Sequence, residues 1–562
     1  MKSRQGQPAR SVLITAPSLI LVALLASCGG GGDDNSSPGG TLQLQGASAG
    51  CSALSGKTLT AAEIGLPTTG ATIDSAALVA STATGNTEGE YCRVMGSINH
   101  VDPAAPAIKF AINLPTNWNK RMLQSGNGGY SGVLSPTSGT VVVIGQGSTM
   151  PLASGYAVYG DDGGHQTPGA SFATNAEALA NYGYMHIKKS KDVAAKVVAW
   201  YYGDGQLEKS YFAGNSTGGR EALTAAQRFP ADFDAVYSAA PTMFWGLRMI
   251  GLPIGKLMYG TPGGYINVAK QQLIQAKVLQ ACDSLDGLAD SIVSNVPDCL
   301  AKAPETLASL RCANGADTGD TCLSDAQIAV VNLIHEGLTL PYKMAEGLTR
   351  YQGYNILEGT TFAPESGLQL GSSPTLLNPP PLAGNGYLFG QATDWVRNFV
   401  TKNPNLDPLS FDIYNPGVYQ QTLIDQTSIV GAYSSDLSAF RARGGKIILL
   451  QGLMDTAVSP NATIDWYNRV VIKMGAAAAN DFIRFYQVPG LGHGSGPFQP
   501  KLDVYTALDT WATTGKAPDV MVGTDTVAAT AGRTRPICLY PGWPRFNGGD
   551  PNSASSYSCA TQ

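Results

Sequence analysis

The stretch that decides the fold is Tyr211-Phe212-Ala213-Gly214-Asn215-Ser216-Thr217-Gly218-Gly219-Arg220-Glu221. Its apolar start, Tyr211 to Ala213, reads as a buried strand, and Arg220 to Phe229 is compatible with a helix. Between them lies Gly-x-Ser-x-Gly. Strand, tight turn, helix is the context in which this motif forms a nucleophile elbow. Gly214 and Gly218 then leave no Cβ where strand and helix nearly collide, and the turn pushes the serine Oγ into the open. The bland alternative is a glycine-rich βα turn in a chain with 67 glycines. The elbow reading therefore needs a base, an acid partner and an oxyanion hole elsewhere.

The chain has 562 residues, 43% apolar and 14% charged, enough for two or more domains or one large domain with an insertion. A net charge of −5 argues against a nucleic-acid partner. The first residues read as a signal. Lys2, Arg4 and Arg10 form a basic region, Val12 to Ala26 is apolar and short for a bilayer span, and Leu25-Ala26-Ser27-Cys28 resembles a bacterial lipobox. This predicts residues 1–28 as a lipoprotein signal with a lipidated Cys28, and residues 29–50 as a flexible tether. Gly29 after the cysteine resembles the outer-membrane-sorted type, so the expectation is an exported protein at the outer membrane or cell surface, held there only by a lipid anchor. A plain secretory signal with a chance cysteine is the alternative. Nine cysteines leave eight if Cys28 is lipidated: Cys51, Cys92, Cys282, Cys299, Cys312, Cys322, Cys538 and Cys559. Eight cysteines allow about 105 pairings; sequence-near pairs are the simplest set. No Cys-x-x-Cys occurs, which leaves a zinc reading little support.

Residues 51–90 read as loops and short strands. Ile108 to Leu114 alternates as a strand does, and Pro115 to Asn119 reads as a turn. Met122 to Gln124 starts a strand that runs into Ser125-Gly-Asn-Gly-Gly129-Tyr-Ser-Gly132, a loop able to present an oxyanion donor. A phosphate cradle would need a following Gly-Lys-Ser/Thr, which is missing. Tyr156 to Gly160 is another strand, followed by Asp161-Asp-Gly-Gly-His165, and Lys188 to Tyr202 has helical spacing. Alternating strands and helices imply a parallel sheet covered on both faces. Residues 241–430 break the pattern and read as an inserted, disulfide-pinned lid; α/β alternation resumes at 431–562, so 51–240 and 431–562 form the core domain. Inside the lid, Cys282-Asp283-Ser-Leu-Asp286-Gly-Leu288-Ala-Asp290-Ser-Ile292 packs carboxylates at a density that suggests Ca²⁺, although it is no EF-hand and an acidic solvated turn is the alternative.

A serine hydroxyl needs a base, best supplied by a histidine. Of five histidines, His493 follows the last core strand in a glycine-flanked loop. His165 precedes the serine and reads as a buried, hydrogen-bonded histidine near the site; His100, His186 and His335 read as structural or exposed. Asp455 follows the strand Lys446 to Leu450, and the order Ser216…Asp455…His493 is that of α/β-hydrolases. The oxyanion hole would be the backbone N–H groups of Thr217 and Gly129.

The chain resembles the tannase and feruloyl esterase family, secreted serine esterases with an α/β-hydrolase core and a large inserted lid. The resemblance covers nearly all of the mature chain and rests on Gly214 to Glu221 with Arg228-Phe-Pro230, Asp161 to His165, Cys282 to Asp290, Gly444 to Ile448 and Ala531 to Cys538. It implies Ser216, Asp455 and His493 as the triad and Gly129 with Thr217 as the oxyanion hole. It also implies a structural calcium held by the side chains of Asp283, Asp286 and Asp290 and the carbonyls of Leu288 and Ile292, and the pairs 51–92, 282–299, 312–322 and 538–559. One departure stands out. Family members carry a disulfide between the residue before the serine and the residue after the histidine, and here those positions are Asn215 and Gly494. The family includes mono(2-hydroxyethyl) terephthalate hydrolases, which use a lid arginine and an aromatic residue three after the aspartate; the second position is Val458 here. Tyr387, Phe389 and Trp395 are candidates to pack on an aromatic acyl group. The resemblance therefore implies hydrolysis of small phenolic or hydroxycinnamoyl esters. Terephthalate half-esters are the alternative, and a surface lipoprotein that binds but barely catalyses is the reading the missing staple would favour.

Overall fold

The computed structural model describes residues 42–561 apart from 44–45, 143, 145–149, 364–369 and 379–381. The signal segment, Cys28 and most of the expected tether lie outside the described residues. The end of that tether is ordered structure: Leu42–Gln43 pairs with Asn117–Trp118, and a short helix spans Ala47–Ser52. Among the described residues no helix is long and apolar enough to cross a membrane.

A ten-stranded sheet carries the core. In chain order its strands are β1 (Thr58–Leu59), β2 (Ala71–Val79), β3 (Tyr91–Ile98), β4 (Ile108–Pro115), β5 (Arg121–Ser125), β6 (Ala157–Asp161), β7 (Lys209–Asn215), β8 (Ala235–Ala239), β9 (Lys446–Gly452) and β10 (Ile483–Val488). In space they run β10-β9-β8-β7-β5-β6-β4-β3-β2-β1. Neighbours from β10 to β6 are parallel, and those from β6 outward are antiparallel. The sheet is thus mixed where the sequence pattern implied a parallel one. The antiparallel strands β2, β3 and β4 follow one another through short connections, which suffice for antiparallel neighbours but not for parallel crossovers. The nine-residue β2 hides in a stretch that reads as loop because its alternation breaks at Asp74, where the register shifts between Ile73 and Ser75.

Helix α1 (His186–Tyr202) buries Val193, Val197 and Tyr201, at the three-to-four-residue spacing of one helix face, against β4 and β6. Each such aliphatic side chain contributes roughly 1.5–3 kcal/mol relative to exposure, so a charge at Val197 would strip the helix from the sheet. Helix α2 (Thr217–Arg228) follows β7 directly. Between β8 and β9 the inserted lid is mainly helical: α3 (Phe244–Gly260), α4 (Val268–Cys282), α5 (Val296–Leu310), α6 (Asp325–Glu336), α7 (Tyr387–Trp395) and α8 (Gln420–Val430). Phe389 and Trp395 belong to this lid's own packing. A Cβ on Gly255 of α3 would lie 2.1 Å from the Phe389 ring, and Trp395 is wholly buried. They fill the lid interior, a role that apolar residues on a short helix take by default. The eight cysteines outside the signal form four disulfides, Cys51–Cys92, Cys282–Cys299, Cys312–Cys322 and Cys538–Cys559. Two of these pin the lid. The last closes a C-terminal region that follows the helix Val504–Thr514.

Candidate active site

Ser216 stands between the last residue of β7 and the first of α2, at φ 60° and ψ −120°. A non-glycine residue in that region is strained, and the surroundings hold it there. Its N–H donates to Ala239 O at 3.0 Å, and its own carbonyl accepts from Thr242 N at 3.1 Å and Arg220 N at 3.1 Å. The glycines are required by close approach: a Cβ on Gly214 would lie 2.4 Å from the Gly218 carbonyl carbon, and one on Gly219 would lie 2.4 Å from Ala239 O. The Ser216 hydroxyl makes a long contact, 3.4 Å, with Thr242 Oγ1. Among the described hydrogen bonds none joins it to His493. Catalytic hydrogen bonds are often loose before substrate arrives, so the contact with Thr242 does not disqualify the pair.

Asp455 and His493 are brought together. Asp455 follows β9 and is fully buried; its Oδ2 lies 2.8 Å from His493 Nδ1. Two backbone N–H groups, of Ala457 and Val458, donate to its Oδ1 at 2.8 Å each. Gln451 Nε2 donates to Oδ2 at 3.3 Å, and Gln451 is itself fixed by Thr463, whose hydroxyl donates at 2.8 Å. A carboxylate at Nδ1 accepts that nitrogen's proton, which leaves Nε2 as the basic atom of a neutral ring. Burial works against charging His493, but the negative charge of Asp455 and its hydrogen bond outweigh it and raise the histidine pKa. Ser216, Asp455 and His493 lie past the C-terminal ends of the parallel strands β7, β9 and β10, with β8 between the first two, at the edge of an open α/β sheet where ligands bind. A cavity of about 390 Å³ opens beside His493, lined among others by Gln275, Thr361, Met454, Pro497 and Gln499.

The glycine-rich loop after β5 is tied to the elbow. Gly126 N–H donates to Ala213 O at 2.9 Å, and Gly218 N–H donates to Asn127 O at 2.8 Å. Thr217 Oγ1 donates to Gly129 O at 2.6 Å, and the Tyr182 hydroxyl donates to the same oxygen at 3.0 Å. Gly129 has a φ of 58°, and a Cβ there would face open space. Thr217 opens α2, so its N–H is among the donors that a helix start leaves unpaired. The two candidate oxyanion residues are therefore in direct contact.

Asn215 and Gly494, the positions where the sequence departs from the expected disulfide, carry no cysteine. Met454 N–H donates to Leu491 O at 2.9 Å, which joins the Asp455 and His493 loops, and Gly492 N–H donates to Ser495 O at 2.6 Å within the His493 loop. Arg397 points away from this region, donating to Leu406 O and Asn378 Oδ1. His165 is buried, with Nε2 2.7 Å from Tyr130 O and Nδ1 3.0 Å from Thr167 O.

His186 is the residue that sequence pattern most undervalues. It is 1% exposed, with Nδ1 2.8 Å from Asp161 Oδ1 and Nε2 3.4 Å from Glu221 Oε1. Glu221 Oε2 in turn accepts the Asn127 N–H at 2.8 Å. The partners lie 25 and 35 residues from it in sequence, so no local spacing announces them.

In the acidic lid loop, Asp283 Oδ1 accepts Asp290 N–H, Asp286 Oδ1 accepts Leu288 N–H, and Asp290 Oδ1 accepts Ile292 N–H, at 3.1–3.2 Å. Asp290 Oδ2 also pairs with Arg535 at 2.8 Å. Among the described residues no three His, Cys, Asp or Glu side chains converge as a metal group. Burial, with the nearby charge of Asp290 adding to it, raises the pKa of Asp283, and pushes that of Asp286 up to about 6. The donors are oxygen only, the chemistry of a hard cation, but Asp290 Oδ2 already faces Arg535 and, at 3.7 Å, Arg533.

A sequence profile described as "Tannase and feruloyl esterase" matches residues 92–560. The chain is 42% identical over 526 residues to a protein of Agrobacterium fabrum named as an uncharacterized esterase, covering 92% of this chain and 94% of that one. It is 33% identical over 533 residues to the mono(2-hydroxyethyl) terephthalate hydrolase of Piscinibacter sakaiensis, covering 84% and 85%. The crystal structure of feruloyl esterase B from Aspergillus oryzae matches with a TM-score of 0.73 over 92% of this chain and 100% of that one, at 23% identity, a likeness of α/β-hydrolase fold.

Proposed function

The chain belongs to the tannase and feruloyl esterase family and is a serine esterase, and from that premise we propose that Ser216 is its nucleophile, His493 its general base and Asp455 the carboxylate that orients His493. Ser216 Oγ attacks the ester carbonyl carbon while its proton passes to His493 Nε2. Charge develops on the carbonyl oxygen, where the amides of Gly129 and Thr217 donate to it. The tetrahedral intermediate collapses by breaking the C–O bond to the alcohol, which takes the proton back from Nε2. Water then attacks the acyl-enzyme by the same route and releases the acid. Asp455 keeps its charge throughout and offsets that of the imidazolium. The observation that carries this reading is the 2.8 Å hydrogen bond between Asp455 and His493.

The substrates we favour are small phenolic or hydroxycinnamoyl esters, and what supports them is the family match. Terephthalate half-esters are the second reading, favoured by the Piscinibacter relative. Val458 weighs against it, since it is buried and offers no ring at that position. Labelling by a fluorophosphonate, together with loss of about 10⁴-fold or more of kcat in Ser216→Ala, tests the mechanism. A folded protein that resists labelling overturns it. Turnover of methyl ferulate, methyl gallate, mono(2-hydroxyethyl) terephthalate and short p-nitrophenyl esters then ranks the substrates.

Calcium is part of the same proposal, held by Asp283, Asp286 and Asp290 with the Leu288 and Ile292 carbonyls, as a structural cation in the lid. Chelation should lower the melting temperature, and an unchanged temperature removes the site. Anchoring through Cys28 is proposed on the lipobox; Cys28→Ala should move the protein out of the membrane fraction, and unchanged fractionation rejects the anchor.

A further inference from the structure

We propose that His186 is a positioning residue for the oxyanion hole: it bridges Asp161 and Glu221 beneath the glycine-rich loop and through them fixes Asn127, two residues before Gly129. The inference rests on the reading of Gly129 and Thr217 as the oxyanion donors.

Asn127 is held from three sides. Its N–H donates to Glu221 Oε2 at 2.8 Å, its side-chain amide reaches Asp161 Oδ1 at 3.4 Å, and its carbonyl accepts the Gly218 N–H at 2.8 Å. The two carboxylates come from separate elements, the end of β6 and the second turn of α2. His186, the first residue of α1, lies between them, and Arg220 Nη2 stands 3.4 Å from Glu221 Oε1. All four side chains are at most 1% exposed. With a charged imidazolium the cluster holds two positive and two negative groups. With a neutral ring it holds one unmatched negative charge in a place where water cannot reach it, and such a charge is costly. Burial alone would discharge His186, but the charges of Asp161 and Glu221 push its pKa up to about 10. Burial would likewise raise the Asp161 pKa, and the charge of His186 holds it below the usual carboxylate value. The ring is therefore a fixed cation at neutral pH. Its charge faces Glu221, the acceptor for the Asn127 amide, and the loop backbone is held where Gly129 meets Thr217.

The test compares wild type, His186→Gln, Glu221→Gln and the double variant on p-nitrophenyl acetate. His186→Gln should lower kcat about 10- to 100-fold, less than the ~10²–10³ of losing an oxyanion donor outright, with KM changed by no more than about threefold. Binding of an aryl trifluoromethyl ketone, whose hemiketal oxygen occupies the hole, should weaken in parallel with kcat. Adding Glu221→Gln removes the charge that needs a cation while keeping an acceptor for Asn127, so the double variant should regain about fivefold or more in kcat over His186→Gln. Additive losses, a change confined to KM, or wild-type kcat in a folded His186→Gln protein each overturn the proposal. If His186→Gln fails to fold but the double variant folds, the charge argument stands; if neither folds, the role is one of stability and the proposal falls. Fluorophosphonate labelling of the wild type separates the two levels. Without labelling, the triad reading itself fails; with labelling and full kcat in His186→Gln, only this inference does.

Discussion

His493 and His186 each lie against a buried carboxylate. His493 has one such partner, Asp455, and borders the cavity with 13% of its side chain exposed. His186 has two, Asp161 and Glu221, and is 1% exposed. In both, burial disfavours the charged ring and the carboxylates favour it. The number of carboxylates decides the outcome. One partner raises the pKa of His493 while leaving Nε2 open to a proton from elsewhere. Asp161 is hydrogen-bonded to Nδ1 of His186 and Glu221 stands 3.4 Å from Nε2 at ion-pair distance, and the two charges push its pKa up to about 10. The same residue type thus becomes a group that exchanges protons in one place and a permanent cation in the other.

The largest effect that can break this contrast is at Asp455. Asp455→Asn leaves the volume but removes the charge and the acceptor that fixes the Nδ1–H tautomer, and kcat should fall about 10³- to 10⁴-fold. A loss below tenfold on the favoured ester would mean that His493 does not act through Asp455. The residual activity carries a second, smaller signal. His493 must be neutral to take the serine proton, so kcat/KM should rise with pH through its raised pKa, with a midpoint above the ordinary value of about 6.5. Without the negative charge that midpoint should move down by about one unit or more. A midpoint that stays in place would assign the acid limb to another group. His186→Gln sharpens the contrast further: it should lower kcat while shifting the acid limb by less than about 0.3 unit, because a ring that stays charged to high pH does not titrate there.

How much of this was legible in the sequence follows the same division. Ser216, Asp455 and His493 each sit just past a strand in a glycine-containing turn, so local pattern and chain order were enough to pick them out. Glycines mark the elbow because backbone atoms there approach within a Cβ radius, a constraint that chain composition records directly. The cluster under the loop leaves no such mark. Asp161, His186 and Glu221 come from three elements, and only the folded sheet makes them neighbours. Residues 51–90 read only as loops and short strands for a local reason, the bulge at Asp74 that breaks the alternation of the nine-residue β2, and strand alternation alone does not tell antiparallel neighbours from parallel ones. Phe389 and Trp395 show the reverse error. Aromatic residues near a site suggest substrate contact, but here Phe389 packs against Gly255 and Trp395 lies in the buried cluster that the inserted segment shares with the sheet.

The smallest effect concerns stability and distinguishes a fixed cation from a neutral filler. A group whose folded pKa is raised stabilises the fold fully below its unfolded pKa, about 6.5 for histidine, and loses that contribution as pH climbs through the folded value. For His186 the window runs from about 6.5 to about 10. The charges that face it are Asp161 and Glu221, which raise its pKa, with Arg220 beside Glu221 and His165 nearby opposing it. Other groups also titrate in this range, but they are common to wild type and His186→Gln. The melting temperature of the wild type should therefore fall more steeply than that of the variant between pH 7 and 10, by roughly 2–5 °C. Parallel curves would mean that His186 is neutral in the folded protein. Glu221 and Asp161 would then lack their cation, and His493 would be the more strongly charged of the two histidines.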